Sequence, residues 1–361
     1  MNNSIAAVLQ PYVDRHALAG AVTLVASRTE VLAQDAVGWA DIAAQKSMQP
    51  DTVFWVASQT KPITATALMM LVDEGRVATE DPVEKYLPEF KGQMVIAEQD
   101  ADHVLLRKPG HPPTVREVLS HTSGLPFSSP MEQPTLDVLP LGSAVRSYAL
   151  LPLQTEPGSK YAYSNAGINT AGRILEVVSG MPYEKFLQTR LFRPLGMKDT
   201  TFWPNAKQTQ RLAKSYKPDA GKSGLEETPI TQLQAPFANR RRGPIPGGGL
   251  FSTAPDLGRF CQMILNGGVL NGKRYLSEAG VKQMSSKQTG SKVADEYGFG
   301  WGVNADGFGH GGAYSTNMVI NLRRGLVLVW MVQHAGFPLD GDKSQAAFKQ
   351  AAEEQLGGRS L

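Results

Sequence analysis

The sequence predicts an α/β layer plus an α region: an antiparallel sheet formed by both chain termini and flanked by helices, with a mainly helical region inserted between its two halves. Three observations carry that expectation. Short apolar runs of strand length lie near both ends of the chain. Apolar residues at helical spacing, joined by Pro- and Gly-rich loops, fill the middle. The 361 residues, 42% hydrophobic and 19% charged, are enough for a large core. Residues 1–75 and 250–361 are then the sheet region and 76–249 the helical one, with the site expected in the cleft between them.

Each element has its own signal. Ile5, Val8, Leu9, Tyr12 and Val13 recur at helical spacing. Residues 21–26 and 31–39 are apolar runs separated by Ser27, Arg28, Thr29 and Glu30, a hairpin turn. Helical patterning follows at 64–74, 115–120, 166–179, 183–191 and 256–265. Residues 297–303, the segment around His310, 318–322 and 327–333 read as strands, with a tight turn at Arg323, Arg324 and Gly325. Residues 342–356 read as a closing helix, with Ala346, Ala347, Phe348 and Ala351 on one side.

Composition excludes several classes of function. The net charge of +3 is too near balance for a nucleic-acid footprint. The basic run Arg240, Arg241, Arg242 is expected either as a solvated or ion-paired loop or as the lining of a site. A single cysteine, Cys261, rules out an internal disulfide framework and sits in an apolar stretch where a packed thiol is expected. The opening residues Met1, Asn2, Asn3 and Ser4 lack the basic and long apolar segments of a leader. That leaves a cytoplasmic location if the chain is complete and an exported one if a leader has been removed. No apolar run is long enough to span a membrane. Oligomeric state is not readable.

Three short segments carry candidate chemistry. In the first, Ser58 opens a helix and Lys61 follows one turn later, so both side chains lie on one face. A serine hydroxyl needs a base to become a nucleophile. A buried lysine at a helix N-terminus has its charged form disfavoured by desolvation and by the helix dipole, so Lys61 is a candidate base. The small and apolar residues Thr64, Ala65, Ala67, Leu68, Leu71 and Val72 mark the helix as central. In the second segment, Tyr163 and Asn165 place a phenol and an amide on an interhelical loop. In the third, His310 precedes Gly311 and Gly312 in a strand whose bare backbone admits a ligand and can donate an N–H to an oxyanion. Read singly, each has a bland alternative: a capping serine with a surface lysine, a satisfied core tyrosine, a structural histidine.

Taken together and in this order, the segments resemble the motifs of the serine β-lactamase and penicillin-binding-protein superfamily, and most of all its class C-like branch with the family VIII carboxylesterases. Ser58 and Lys61 match the first motif, Tyr163 and Asn165 the second, and His310, Gly311 and Gly312 stand in the place of Lys-Thr-Gly. Residues 119–125, 81–83, 194–197 and 247–253 match further phrases. The resemblance implies the β-lactamase/DD-peptidase-like fold and an acyl-enzyme on Ser58. Lys61 and Tyr163 would move protons, and the backbone N–H groups of Ser58 and Ala313 would form the oxyanion hole. Asn165, His310, Gly311 and Gly312 would contact substrate. It implies no metal and no cofactor, a small-molecule ester or lactam as the partner, and a structural role for His121.

The departure at His310 removes a permanent cation that would hold a substrate carboxylate. It favours a carboxylesterase of small neutral esters, with side activity on β-lactams. A class C-like β-lactamase or D-alanyl peptidase, and a penicillin-binding sensor acylated once, are the alternatives. A Gly-x-Ser-x-Gly elbow is absent, so an α/β-hydrolase is not expected.

Overall fold

The computed structural model describes residues 5–357; Met1, Asn2, Asn3 and Ser4, read above for a leader, lie outside the described residues. Its centre is a seven-stranded antiparallel sheet, numbered here in chain order: β1 (Gly20–Ala26), β2 (Val31–Asp41), β3 (Lys46–Ser47), β4 (Gly302–Asn304), β5 (Gly307–Gly311), β6 (Asn317–Asn321) and β7 (Leu326–Met331). The spatial order is β4-β5-β6-β7-β1-β2-β3. The two chain ends meet where β1 pairs with β7, Leu24 opposite Val329. None of these strands falls between residues 76 and 249.

Every residue of β1 is buried, because both faces of the sheet are covered. Alternation along the strand divides it between two cores. Val22, Leu24 and Ala26 join Val327, Val329 and Met331 of β7 in the larger core, where the helix Ala254–Leu265 packs on the sheet. Ala21 and Val25 join Leu326, Leu328 and Trp330 on the other face. That face is closed by Ile5, Leu9 and Val13 from the start of the chain and by Phe348, Ala351 and Ala352 of the helix Ser344–Leu356. Cys261 is fully buried in the larger core, as expected, and burial raises its thiol pKa.

The helix Thr60–Asp73 runs through the middle of the molecule, with all residues from Thr60 to Leu71 buried. A helix buried on nearly every side needs no apolar stripe, which is why its residues, Lys61 and Asp73 apart, are small or apolar. It packs against the helix Asn165–Ser179. That second helix is capped by the Ser164 hydroxyl, which accepts from Gly167 N–H at 2.9 Å, and ends at Gly180 in the left-handed region.

Several sequence expectations change. Residues 297–303 are not one strand: only Gly302–Asn304 is, and the chain turns before it, with Gly298 N–H donating to Trp301 O at 2.8 Å. A side chain on Gly298 would collide with Met284 O, so this turn must pass close to the helix Glu278–Met284, and it swings Tyr297 inward. The helical pattern at 183–191 is an α-turn, Tyr183–Phe186, followed by a π-helical stretch, Leu187–Phe192. The helix Leu141–Ala149 and the hairpin Val95–Gln99/Val104–Arg107 carried no signal that was recognised.

Of the basic run, Arg241 is exposed and Arg240 lies over the Trp203 ring at 4.9 Å. Arg242 is buried and paired with Asp137 at 2.5 Å, and it also donates to Phe202 O and Phe237 O. Its guanidinium ties its own loop to Asp137 and to the backbone at Phe202.

Candidate active site

The site begins where the short strand Phe54–Trp55 meets the helix Thr60–Asp73. That strand pairs with Phe251–Ser252, and the Trp55 indole N–H donates to Gly248 O at 2.8 Å. This zipper brings Gly247 against the first turn of the helix. The chain then turns sharply at Ala57, whose φ of 46° is a conformation costing on the order of 1 kcal/mol for a residue with a side chain. The turn lifts Ser58 to a half-exposed position while Lys61, one turn on, is completely buried.

Lys61 Nζ has three partners: Asn165 Oδ1 at 2.6 Å, Gly247 O at 2.6 Å and Ser58 Oγ at 3.1 Å. The first two are pure acceptors and take two N–H groups. Burial pulls the Lys61 pKa well below the ordinary lysine value, and no carboxylate pairs with it among the described residues. The remaining direction of Nζ faces the Ser58 oxygen.

This arrangement is fixed from behind. Gly247 N–H donates to Asn169 Oδ1 at 2.8 Å, and Asn169 Nδ2 donates to Tyr148 OH, which donates to Glu132. Only glycine fits at 247, because a Cβ there would lie 2.9 Å from Asn165 Oδ1.

Tyr163 stands over Lys61, with the amine 4.6 Å from its ring centroid. Burial raises the phenol pKa, and a hydrogen bond with Ser58 partly offsets it. The loop carrying Tyr163 is held by His121 on both sides: Ala162 N–H donates to His121 O at 2.8 Å and Ser164 N–H to His121 Nδ1 at 3.1 Å. The His121 ring packs 4.5 Å from that of Tyr163. Burial pulls the His121 pKa well below the ordinary histidine value.

His310, near the end of β5, completes the group. Its Nε2 lies 3.0 Å from Tyr297 OH and 3.4 Å from Tyr163 OH. Its pKa is lowered to about 3, chiefly by burial, so the ring is neutral at physiological pH. The backbone of Gly312 presses on the chain just before Ser58: a Cβ there would meet Val56 O at 2.6 Å. Ala313 follows at an exposed position, next to that contact. A cavity of about 330 Å³ opens beside His310, lined by Tyr161, Asp295, Glu296, Tyr297 and Gly311 among others, with no lysine or arginine.

The structure therefore brings Ser58, Lys61, Tyr163, Asn165 and His310 into one cluster, with Gly311, Gly312 and Ala313 at its edge. Sequence reasoning missed Gly247 and Tyr297, and it assigned His121 only a structural place. Gly247 stood in a visible Gly-rich phrase. Tyr297 was hidden because its segment read as a strand, which gives no inward turn. No cluster of three or more His, Cys, Asp or Glu is placed to hold a metal among the described residues.

The profile of the beta-lactamase family matches residues 5–352, nearly the whole chain. The chain belongs to the beta-lactamase family. Among its relatives, Protein Rv1367c of Mycobacterium tuberculosis is 32% identical over 364 residues, covering 89% of this chain and 87% of that protein. Esterase EstB of Burkholderia gladioli is 30% identical over 286 residues, covering 72% and 68%. The solved structure of EstCE1, a hydrolase with promiscuous acyltransferase activity, superposes with a TM-score of 0.78 at 24% identity, covering 96% of this chain and 97% of that one; it speaks for the fold. The fold is that of the β-lactamases and DD-peptidases, and the protein is a serine hydrolase of the β-lactamase and penicillin-binding-protein superfamily. No helix among the described residues is long and apolar enough to cross a membrane.

Proposed function

We propose that the protein is a carboxylesterase that hydrolyses small uncharged esters through an acyl-enzyme on Ser58. The observation that carries this reading is the hydrogen-bond set of Lys61: two N–H groups held by Asn165 and Gly247, and the third direction open to Ser58 at 3.1 Å. Burial lowers the Lys61 pKa well below its ordinary value and raises that of Tyr163, so the neutral form of each group is favoured. That divides the labour: the amine is the base and the phenol is the acid.

In acylation, Ser58 Oγ attacks the ester carbonyl carbon and its proton passes to Lys61 Nζ. The backbone N–H groups of Ser58 and Ala313 receive the oxyanion. As the bond to the leaving oxygen breaks, Tyr163 donates its proton to the alkoxide, and the phenolate is reprotonated at the expense of the Lys61 ammonium. In deacylation a water attacks the acyl carbon, its proton enters the same pair, and Ser58 recovers its hydrogen as the carboxylic acid leaves.

The preference for uncharged substrates rests on His310. A neutral imidazole stands where a permanent cation would hold a carboxylate, and the adjoining cavity offers Asp295 and Glu296. The similarity to Esterase EstB of Burkholderia gladioli supports ester hydrolysis.

The test is a comparison of kcat/KM for short-chain esters, a cephalosporin and a D-Ala-D-Ala peptide, in the wild type and in Ser58→Ala. The ester is expected to lead by roughly 100-fold, the scale of one well-matched charge contact. A lead for the lactam or the peptide would overturn the substrate assignment. Full ester turnover by Ser58→Ala would overturn the mechanism.

A further inference from the structure

His310 has a fixed tautomer. Its Nδ1 lies 2.7 Å from Gly311 O, an oxygen that can only accept, so Nδ1 carries the hydrogen. The neutral ring then has a single lone pair, on Nε2. Two phenols compete for it: Tyr297 OH at 3.0 Å and Tyr163 OH at 3.4 Å. Tyr297 is only 5% exposed. A buried phenol needs a partner, and His310 Nε2 is the acceptor within reach.

We propose that Tyr297 is a positioning residue for the reaction: by donating its hydroxyl hydrogen to His310 Nε2, it occupies that lone pair and leaves the Tyr163 hydroxyl hydrogen free for the leaving group. Without the Tyr297 hydroxyl, the imidazole accepts from Tyr163 instead. The hydrogen of the general acid is then aimed at His310 and away from the breaking bond. The proposal deepens the reading of Tyr163 as the acid and rests on it. It concerns an alcohol leaving group in particular, because an alkoxide of high basicity needs that proton and a nitrophenolate does not.

The turn that creates this contact is built for it. Gly298 and Gly300 allow the chain to pass against the helix Glu278–Met284 and against Lys61 O. The ring of Tyr297 packs 4.8 Å from His121 and 5.6 Å from Tyr161, so its hydroxyl has little freedom to turn elsewhere.

The experiment measures kcat/KM of wild type, Tyr297→Phe and Tyr163→Phe on a matched pair of esters, an ethyl and a p-nitrophenyl ester of one acid. Tyr297→Phe is expected to lose at least roughly tenfold on the ethyl ester and less than about twofold on the nitrophenyl ester, since only the former depends on the acid. Equal losses on both esters, or none on either, would overturn the proposal, the first by marking Tyr297 as a merely structural residue. In the double variant Tyr297→Phe/His310→Phe the competing acceptor is gone, so the selectivity against the ethyl ester present in Tyr297→Phe should shrink. Its persistence at full size would also overturn the proposal. If Tyr163→Phe itself shows no extra loss on the ethyl ester, the reading of Tyr163 as the acid fails; if only Tyr297→Phe lacks the selectivity, that reading stands and this inference fails.

Discussion

Lys61 Nζ lies 3.1 Å from Ser58 Oγ, one helical turn away, and is completely buried while the serine is half-exposed. On the mechanism we propose, the pair joins a desolvated base to an accessible nucleophile. Helix geometry sets the proximity and burial sets the protonation state.

The first prediction concerns pH. Only the neutral amine accepts the Ser58 proton, so kcat/KM rises with pH through the Lys61 pKa and levels above it. Burial lowers that pKa well below the ordinary 10.5, so the rising limb is expected well on the acid side of pH 10. A pH profile on a short ester checks this. A limb near 10, that of a solvated lysine, would contradict it. Lys61→Ala is expected to lose about 100- to 10,000-fold in kcat/KM, the usual worth of a general base.

A second prediction concerns Gly247. Gly247→Ala places a methyl 2.9 Å from Asn165 Oδ1, which must shift and release Lys61. The expected result is a fall in kcat of roughly tenfold or more with KM little changed, because the chemistry loses its alignment and the pocket keeps its walls. Steady-state kinetics together with a thermal melt separates this from unfolding.

The fold was legible wherever one period dominated. The runs that became β1, β2, β6 and β7 followed from spacing alone, as did the helical stretches 64–74, 166–179 and 256–265, which lie in the helices 60–73, 165–179 and 254–265 to within four residues at either end. Ser58, Lys61, Tyr163, Asn165 and His310 were legible as motifs. What was not legible depends on contacts distant in sequence. Gly247 matters because the strand Phe54–Trp55 pairs with Phe251–Ser252, and Tyr297 matters because glycines turn a strand-like phrase inward. That Arg242 is ion-paired and buried, where its neighbour Arg241 is exposed, was hidden for the same reason: its partner Asp137 lies far away in the chain. Local spacing holds none of this information.

That ion pair gives a third prediction. Arg242 and Asp137 are 1% and 0% exposed at their side chains. Arg242→Met leaves the Asp137 carboxylate buried without its cation, and a loss of about 3–5 kcal/mol in unfolding free energy is expected. Chemical denaturation checks it. A change under about 1 kcal/mol would place the pair in the solvated class.

Stability should fall on the acid side because of the buried imidazoles. Burial lowers His334 to about 4 and His310 to about 3, while an unfolded histidine titrates near 6.5. Below pH 6.5 the unfolded chain therefore binds protons that the folded chain refuses. Stability from these groups is complete above 6.5 and is lost as pH falls toward 4 and then 3. His334→Gln keeps an acceptor for the Ala19 N–H and cannot titrate, so its melting temperature should depend less on pH between 6.5 and 4 than that of the wild type. Identical slopes would contradict the assignment.

The central claim is that Ser58 carries the acyl group, and the most direct measurement is peptide-level mass spectrometry of enzyme acid-quenched during ester turnover. The account predicts an acyl mass increment on the peptide containing Ser58, absent in Ser58→Ala. An increment on another residue, or turnover by Ser58→Ala equal to wild type, would contradict it.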